Sequence, residues 1–116
     1  MSNLQQSMAA FAQRANANPH VCKLTEALQT QLHVEVLEAG DCYRLPVVAG
    51  AITGVDRVPV PTHETLLLRG RAPVLEAIFD GRMHPLVAFN RGELEVYGPQ
   101  PDQIRLDAIS LLIWGA

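Results

Sequence analysis

The feature that most constrains this chain is a change of hydrophobic period near Gln31, reversed near Arg71. Before Gln31 the apolar residues are spaced as on helices. Leu4, Met8, Phe11, Ala12 and Ala15 recur at i, i+4, i+7, i+8 and i+11, after Ser2 and Gln5 at capping-box spacing. Asn16-Ala17-Asn18 interrupts that helix. Asn18 is positioned to cap a second one with Pro19 at its first position, carrying Val21, Leu24, Leu28 and Leu32 as a stripe. From Leu32 the period is two: Leu32, Val34 and Val36 on one side, His33, Glu35 and Leu37 on the other, up to a turn at Gly40-Asp41. Tyr43, Leu45 and Val47 alternate on the return, with Pro46 confining that part of the strand to an edge or bulge. Ile52 to Val60 and Thr65 to Arg69 predict a third and a fourth strand.

Helical spacing returns over Arg71 to Asp80, ended by Gly81, and Pro85 starts a short helix that Gly92 stops. Glu93 to Tyr97 alternates again, and Pro101-Asp102 opens a last helix. The order ααββββααβα, uninterrupted by repeats or linkers, predicts one α+β domain over residues 1–116 with a mostly antiparallel sheet of about five strands.

The segment Gly81 to Gly98, GRMHPLVAFNRGELEVYG, resembles the signature of the sterol carrier protein type two family. Gly81, Pro85, Ala88, Gly92, Leu94, Val96 and Gly98 carry the match, and the order of elements agrees over roughly Ala27 to Ala116. The chain departs from the family pattern at Glu93 and Pro99. The resemblance implies helices over a five-stranded sheet, with a hydrophobic tunnel between them for a fatty acyl chain, a sterol-like molecule or a quinone. On that reading Leu67, Phe79, Leu86, Phe89 and Val96 are expected walls, joined by Ile109, Leu112 and Ile113 from the last helix. Arg69, Arg71, Arg82 and Arg91 are expected near the mouth as contacts for an anionic head group. A second reading is a non-catalytic scaffold or dimerisation domain assisting an enzyme of lipid or quinone metabolism.

Charge narrows the partners. Nine basic and twelve acidic residues give −3, which argues against nucleic acid, although residues 57–91 hold five basic and three acidic ones. Eight of the basic residues are Arg and one is Lys, a bias expected of a GC-rich bacterial genome. MSNLQQSMAAFAQR lacks the features of a signal peptide, no apolar run reaches the length of a membrane span, and Cys22 and Cys42 form no disulfide framework. A cytoplasmic protein is expected.

No catalytic residue, metal or cofactor is expected. The sequence has no H-E-x-x-H, G-x-S-x-G or G-x-G-x-x-G pattern, and Gly50-Ala51-Ile52-Thr53-Gly54 lacks the Lys of a phosphate loop. The four histidines, His20, His33, His63 and His84, are scattered, and His20 and Cys22 would face different sides of a helix. His84 with Asp80 across the Gly81 turn is one acid and base pairing the order of residues suggests, and it reads more simply as a capped helix end with a surface His. Glu93 and Glu95, which share a strand face, read as solvated.

The last helix is the least ordinary element. Ile104, Ala108, Leu111 and Leu112 form one stripe, yet Leu106, Ile109, Ile113 and Trp114 spread apolar surface around the second half. A helix apolar all round covers something apolar or is buried. Three uses compete: a lid over a ligand tunnel, a homodimer interface, or core packing.

Overall fold

The computed structural model describes residues 3–61 and 64–115; Ser2, expected to cap the first helix, and His63 lie outside them. Helix α1, Asn3–Asn16, buries Leu4, Met8, Phe11, Ala12 and Ala15, the predicted stripe. Helix α2, Pro19–Glu26, is capped by the Asn18 side chain, which accepts from the backbone N–H groups of His20 and Val21. It ends before the expected stripe does. The N–H groups of Gln29 and Thr30 are taken by the Asp102 carboxylate, so the chain turns there and Leu32 opens a strand.

Strands β1 (Leu32–Val36) and β2 (Cys42–Leu45) form the expected antiparallel hairpin. Pro46, which has no N–H to give the ladder, then takes the chain out of the main sheet. The next strands, β3 (Val47–Val48) and β4 (Ala51–Ile52), make a separate two-stranded ribbon. Its turn residues Ala49 and Gly50 both have positive φ, 51° and 82°, as a two-residue hairpin turn requires. The single strand expected over Ile52 to Val60 is therefore divided. Asn16 holds both backbone groups of Ile52, accepting from its N–H at 2.8 Å and donating to its carbonyl at 2.9 Å, which ties β4 to α1. Only β5, Asp56–Val58, returns to pair with β2.

Strand β6, Leu66–Gly70, runs parallel to β1, and helices α3 (Ala72–Phe79) and α4 (Pro85–Asn90) lead to β7, Leu94–Tyr97, antiparallel to β6. Helix α5, Gln100–Trp114, follows. The five-stranded sheet has the order β5-β2-β1-β6-β7, an open mixed sheet in an α+β fold. Gly98, between β7 and α5, has a φ of 128°, and a Cβ there would lie 2.8 Å from the Leu66 Cα. Only glycine fits that crossing without strain.

Register assigns the faces. Leu32, Val34, Val36, Tyr43, Leu45, Leu66, Leu68 and Leu94 join one buried cluster with residues from all five helices. The opposite face carries His33, Glu35, Cys42, Arg44, Leu67, Arg69, Glu95 and Tyr97. There Arg69 lies 3.5 Å from both Glu35 and Glu95, and Arg44 pairs with Asp56 at 3.2 Å. The Tyr97 hydroxyl donates to Glu95, and that bond raises the Tyr97 pKa.

Candidate functional site

Between the covered sheet face and the helices lies a pocket of about 390 Å³, open to one side. Leu32, Leu68, Leu94 and Val96 form its sheet wall; Ile78, Phe79, Pro85, Leu86 and Phe89 come from α3 and α4. Gln103, Leu106, Asp107, Ser110, Leu111 and Trp114 come from α5. Phe11 reaches in from α1, with its ring edge-on to Phe79 at 5.2 Å and stacked on Trp114 at 5.4 Å. Trp114 Nε1 donates to the Ile78 carbonyl at 2.8 Å, which fastens the end of α5 to α3. The space left between α2, α5 and the sheet is nearly filled, about 20 Å³. A depression of about 420 Å³ beside α1 is lined by Gln5, Gln6, Gln13 and Asn16 among others, a more polar set.

Four of the eight expected wall residues line the pocket: Phe79, Leu86, Phe89 and Val96. Leu67 does not. Strand alternation puts it on the opposite face, where its register neighbours His33 and Tyr97 flank it and it is fully buried. Ile109 points to the other side of α5, into the packed space shared with Leu28, Leu45 and Leu66. Ile113 packs against the core cluster, and Leu112 is exposed. The face of α5 that meets the pocket is 103, 106, 107, 110, 111 and 114, the i, i+3, i+4 progression of one helix side. Of the expected stripe Ile104, Ala108, Leu111 and Leu112, Ile104 (60% exposed) and Leu112 face outward, Ala108 is half-buried, and Leu111 is exposed at the pocket rim.

The head-group expectation is also corrected. None of Arg69, Arg71, Arg82 and Arg91 lines the pocket. Arg69 follows Leu68 on β6 and so projects from the far face, between Glu35 and Glu95. Arg71 pairs with Glu38 at 3.3 Å and Arg82 with Asp80 at 3.0 Å, both exposed. Arg91 is the exposed C-cap of α4.

His84 and Asp80 do not pair. Asp80 is held below the usual carboxylate range by the Ser7 hydroxyl and by Arg82. His84 caps α4: its Nδ1 accepts from the Leu86 N–H at 3.1 Å, so the proton sits on Nε2, which donates to the Gly115 carbonyl at 2.7 Å. No group of three metal-ligating side chains occurs among the described residues, and no helix among them is long and apolar enough to cross a membrane.

A residue whose sequence signal is only that of a helix start anchors the helix that forms one wall of the pocket. Asp102, fully buried, accepts from the Gln29 N–H (2.7 Å), the Thr30 N–H (2.9 Å) and the Thr30 hydroxyl (2.7 Å), while Thr30 Oγ1 accepts from the Leu66 N–H (2.9 Å). The first turn of α5 is thereby pinned to the loop before β1 and to the start of β6.

No protein-family model matches the sequence, and no curated protein matches it. Solved structures do share the fold. A crystal structure of sterol carrier protein 2 superposes with a TM-score of 0.63 at 18% identity, covering 95% of each chain. A conserved hypothetical protein from Thermus thermophilus, whose name links it to sterol carrier protein, gives 0.59 at 17% identity, over 95% of this chain and 85% of its own. A protein named UbiJ-SCP2 ubiquinone synthesis protein gives 0.59 at 18% identity, over 91% of this chain and 90% of its own. The resemblance carried by Gly81 to Gly98 and the superpositions agree: the chain has a sterol carrier protein type two fold.

Proposed function

We propose that this protein binds and carries an apolar, lipid-like molecule in the pocket under α5, without catalysing a reaction. The observation that carries the proposal is the lining: thirteen of its seventeen residues are apolar, and they converge from the sheet and four helices. The volume lies in the range of small-molecule sites. Each methylene withdrawn from water gains about 0.8 kcal/mol, so a chain of about a dozen carbons gains close to 10 kcal/mol before association and ordering costs. The names borne by proteins of this fold, sterol carrier protein and ubiquinone synthesis protein, are in keeping with that chemistry. The cytoplasm suits its two free thiols, Cys22 and Cys42.

A second reading has its own support. Ile104, Leu111 and Leu112 leave an apolar strip exposed on α5, the surface a homodimer or a scaffold for a partner enzyme would use. Native mass spectrometry of protein purified from cells separates the two. The carrier reading predicts a monomer with a stoichiometric lipid adduct; ligand-free dimers, or a stoichiometric protein partner on a ligand-free chain, would overturn it.

A further inference from the structure

The polar side chains of the pocket offer a ligand more acceptors than donors. Among the lining residues are no Lys or Arg, and four polar side chains: His84, Gln103, Asp107 and Ser110. Both ring nitrogens of His84 are engaged with Leu86 and Gly115. The Ser110 hydroxyl donates to the Leu106 carbonyl at 2.9 Å, and the Gln103 amide nitrogen donates to the Gly98 carbonyl at 2.8 Å. What these groups leave for a ligand is the Asp107 carboxylate, the Gln103 carbonyl oxygen and a lone pair on Ser110, set against one remaining Gln103 amide proton. Asp107 is exposed at the rim and joins none of the ion pairs among the described residues. At the start of α4 the backbone offers little to an anion, because Pro85 has no N–H and the Leu86 N–H is already capped.

We propose that the ligand is an apolar body with a neutral hydrogen-bond-donating head, an alcohol or a phenol, and that this pocket discriminates against carboxylate- and phosphate-headed lipids. The inference rests on the reading of the pocket as an apolar-ligand site. A hydroxyl head donates to Asp107 or to the Gln103 carbonyl oxygen, whereas a carboxylate head meets Asp107 with no Lys or Arg among the described lining residues to offset it.

The test is displacement of an environment-sensitive fluorescent probe by dodecan-1-ol and by dodecanoate at neutral pH and low salt. It uses the wild-type protein, Asp107→Asn and Asp107→Lys; Asp107 is exposed, so both variants should fold. The alcohol should bind about tenfold or more tightly than the acid, a difference of about 1.4 kcal/mol. Asp107→Asn should narrow the gap, and Asp107→Lys should close or reverse it. Equal affinities in the wild type, or a preference that Asp107→Lys leaves unmoved, would overturn the head-group inference and leave apolar binding intact. Failure of both compounds to displace the probe would overturn the reading of the pocket itself, and the inference with it.

Discussion

Replacing Asp102 with Ala removes the side chain that joins the start of α5 to the loop before β1. The carboxylate is fully buried and accepts three hydrogen bonds at 2.7 to 2.9 Å, with Arg105 at 3.6 Å from one oxygen. Hydrogen bonds to a charged acceptor contribute about 1.5 to 3 kcal/mol each, but burying the carboxylate itself costs several kcal/mol. The cost of removal is then dominated by the donors left behind. Two N–H groups and a hydroxyl lose their partner, and Arg105 loses its counter-charge, giving about 3 to 5 kcal/mol. Against a total of about 5 to 15 kcal/mol, that is a large fraction. Asp102→Asn keeps the shape but turns an amide NH₂ toward one of the donors, for about 2 to 3 kcal/mol. Thr30→Val breaks the same network from the other side and leaves the Leu66 N–H unpaired, so its effect should not add to that of Asp102→Ala. Urea unfolding followed by Trp114 fluorescence measures all three. A loss below about 1 kcal/mol for Asp102→Ala, or strict additivity with Thr30→Val, would refute the role assigned to this network.

Other outcomes follow from single residues. Gly98→Ala should cost about 2 to 4 kcal/mol in the same unfolding assay, since its Cβ would meet the Leu66 backbone at a φ of 128°. Burial, reinforced by the Arg44 charge and only partly offset by the Gln31 carbonyl, holds His33 below its ordinary 6.5. Its contribution is therefore complete above pH 6.5 and is lost as the pH falls through the lower folded value, so His33→Gln should flatten the acid limb of stability against pH. Burial and the Glu35 charge push the Cys42 thiol up, so a thiol reagent followed by mass spectrometry should modify Cys22 in the native protein and Cys42 only after unfolding.

Much of the fold was legible because local signals agreed with the tertiary answer. The α1 stripe, the Asn18-Pro19 cap, the β1–β2 hairpin and the Gly81 to Gly98 block are short-range patterns, and each is found where its residues predict. The split of the third strand was not legible, because it depends on Asn16 reaching across 36 residues to Ile52. Asp102 is hidden for the same reason: as a helix-start residue it looks local, while its partners lie 72 and 73 residues away. The α5 face failed differently. A helix apolar on all sides has no periodicity from which to choose a face, so Ile109, Leu112 and Ile113 were indistinguishable from Leu106, Leu111 and Trp114. The face of Leu67 was legible in principle. Leu66-Leu67-Leu68 is apolar throughout, but Arg69 is the polar member of the alternation, and a residue two before it shares its face.

The chain's single Trp, Trp114, lies in the pocket wall and reports directly on occupancy. Titration with a long-chain alcohol and a fatty acid, each brominated at the chain end, tests whether ligand sits in this pocket, because bromine quenches indole emission only at contact range. A ligand site under α5 requires saturable quenching of Trp114 by at least one of them. Val96→Phe, which narrows the pocket wall opposite, should weaken it. Binding that leaves Trp114 emission unchanged, or quenching that Val96→Phe does not alter, would contradict a ligand site under α5.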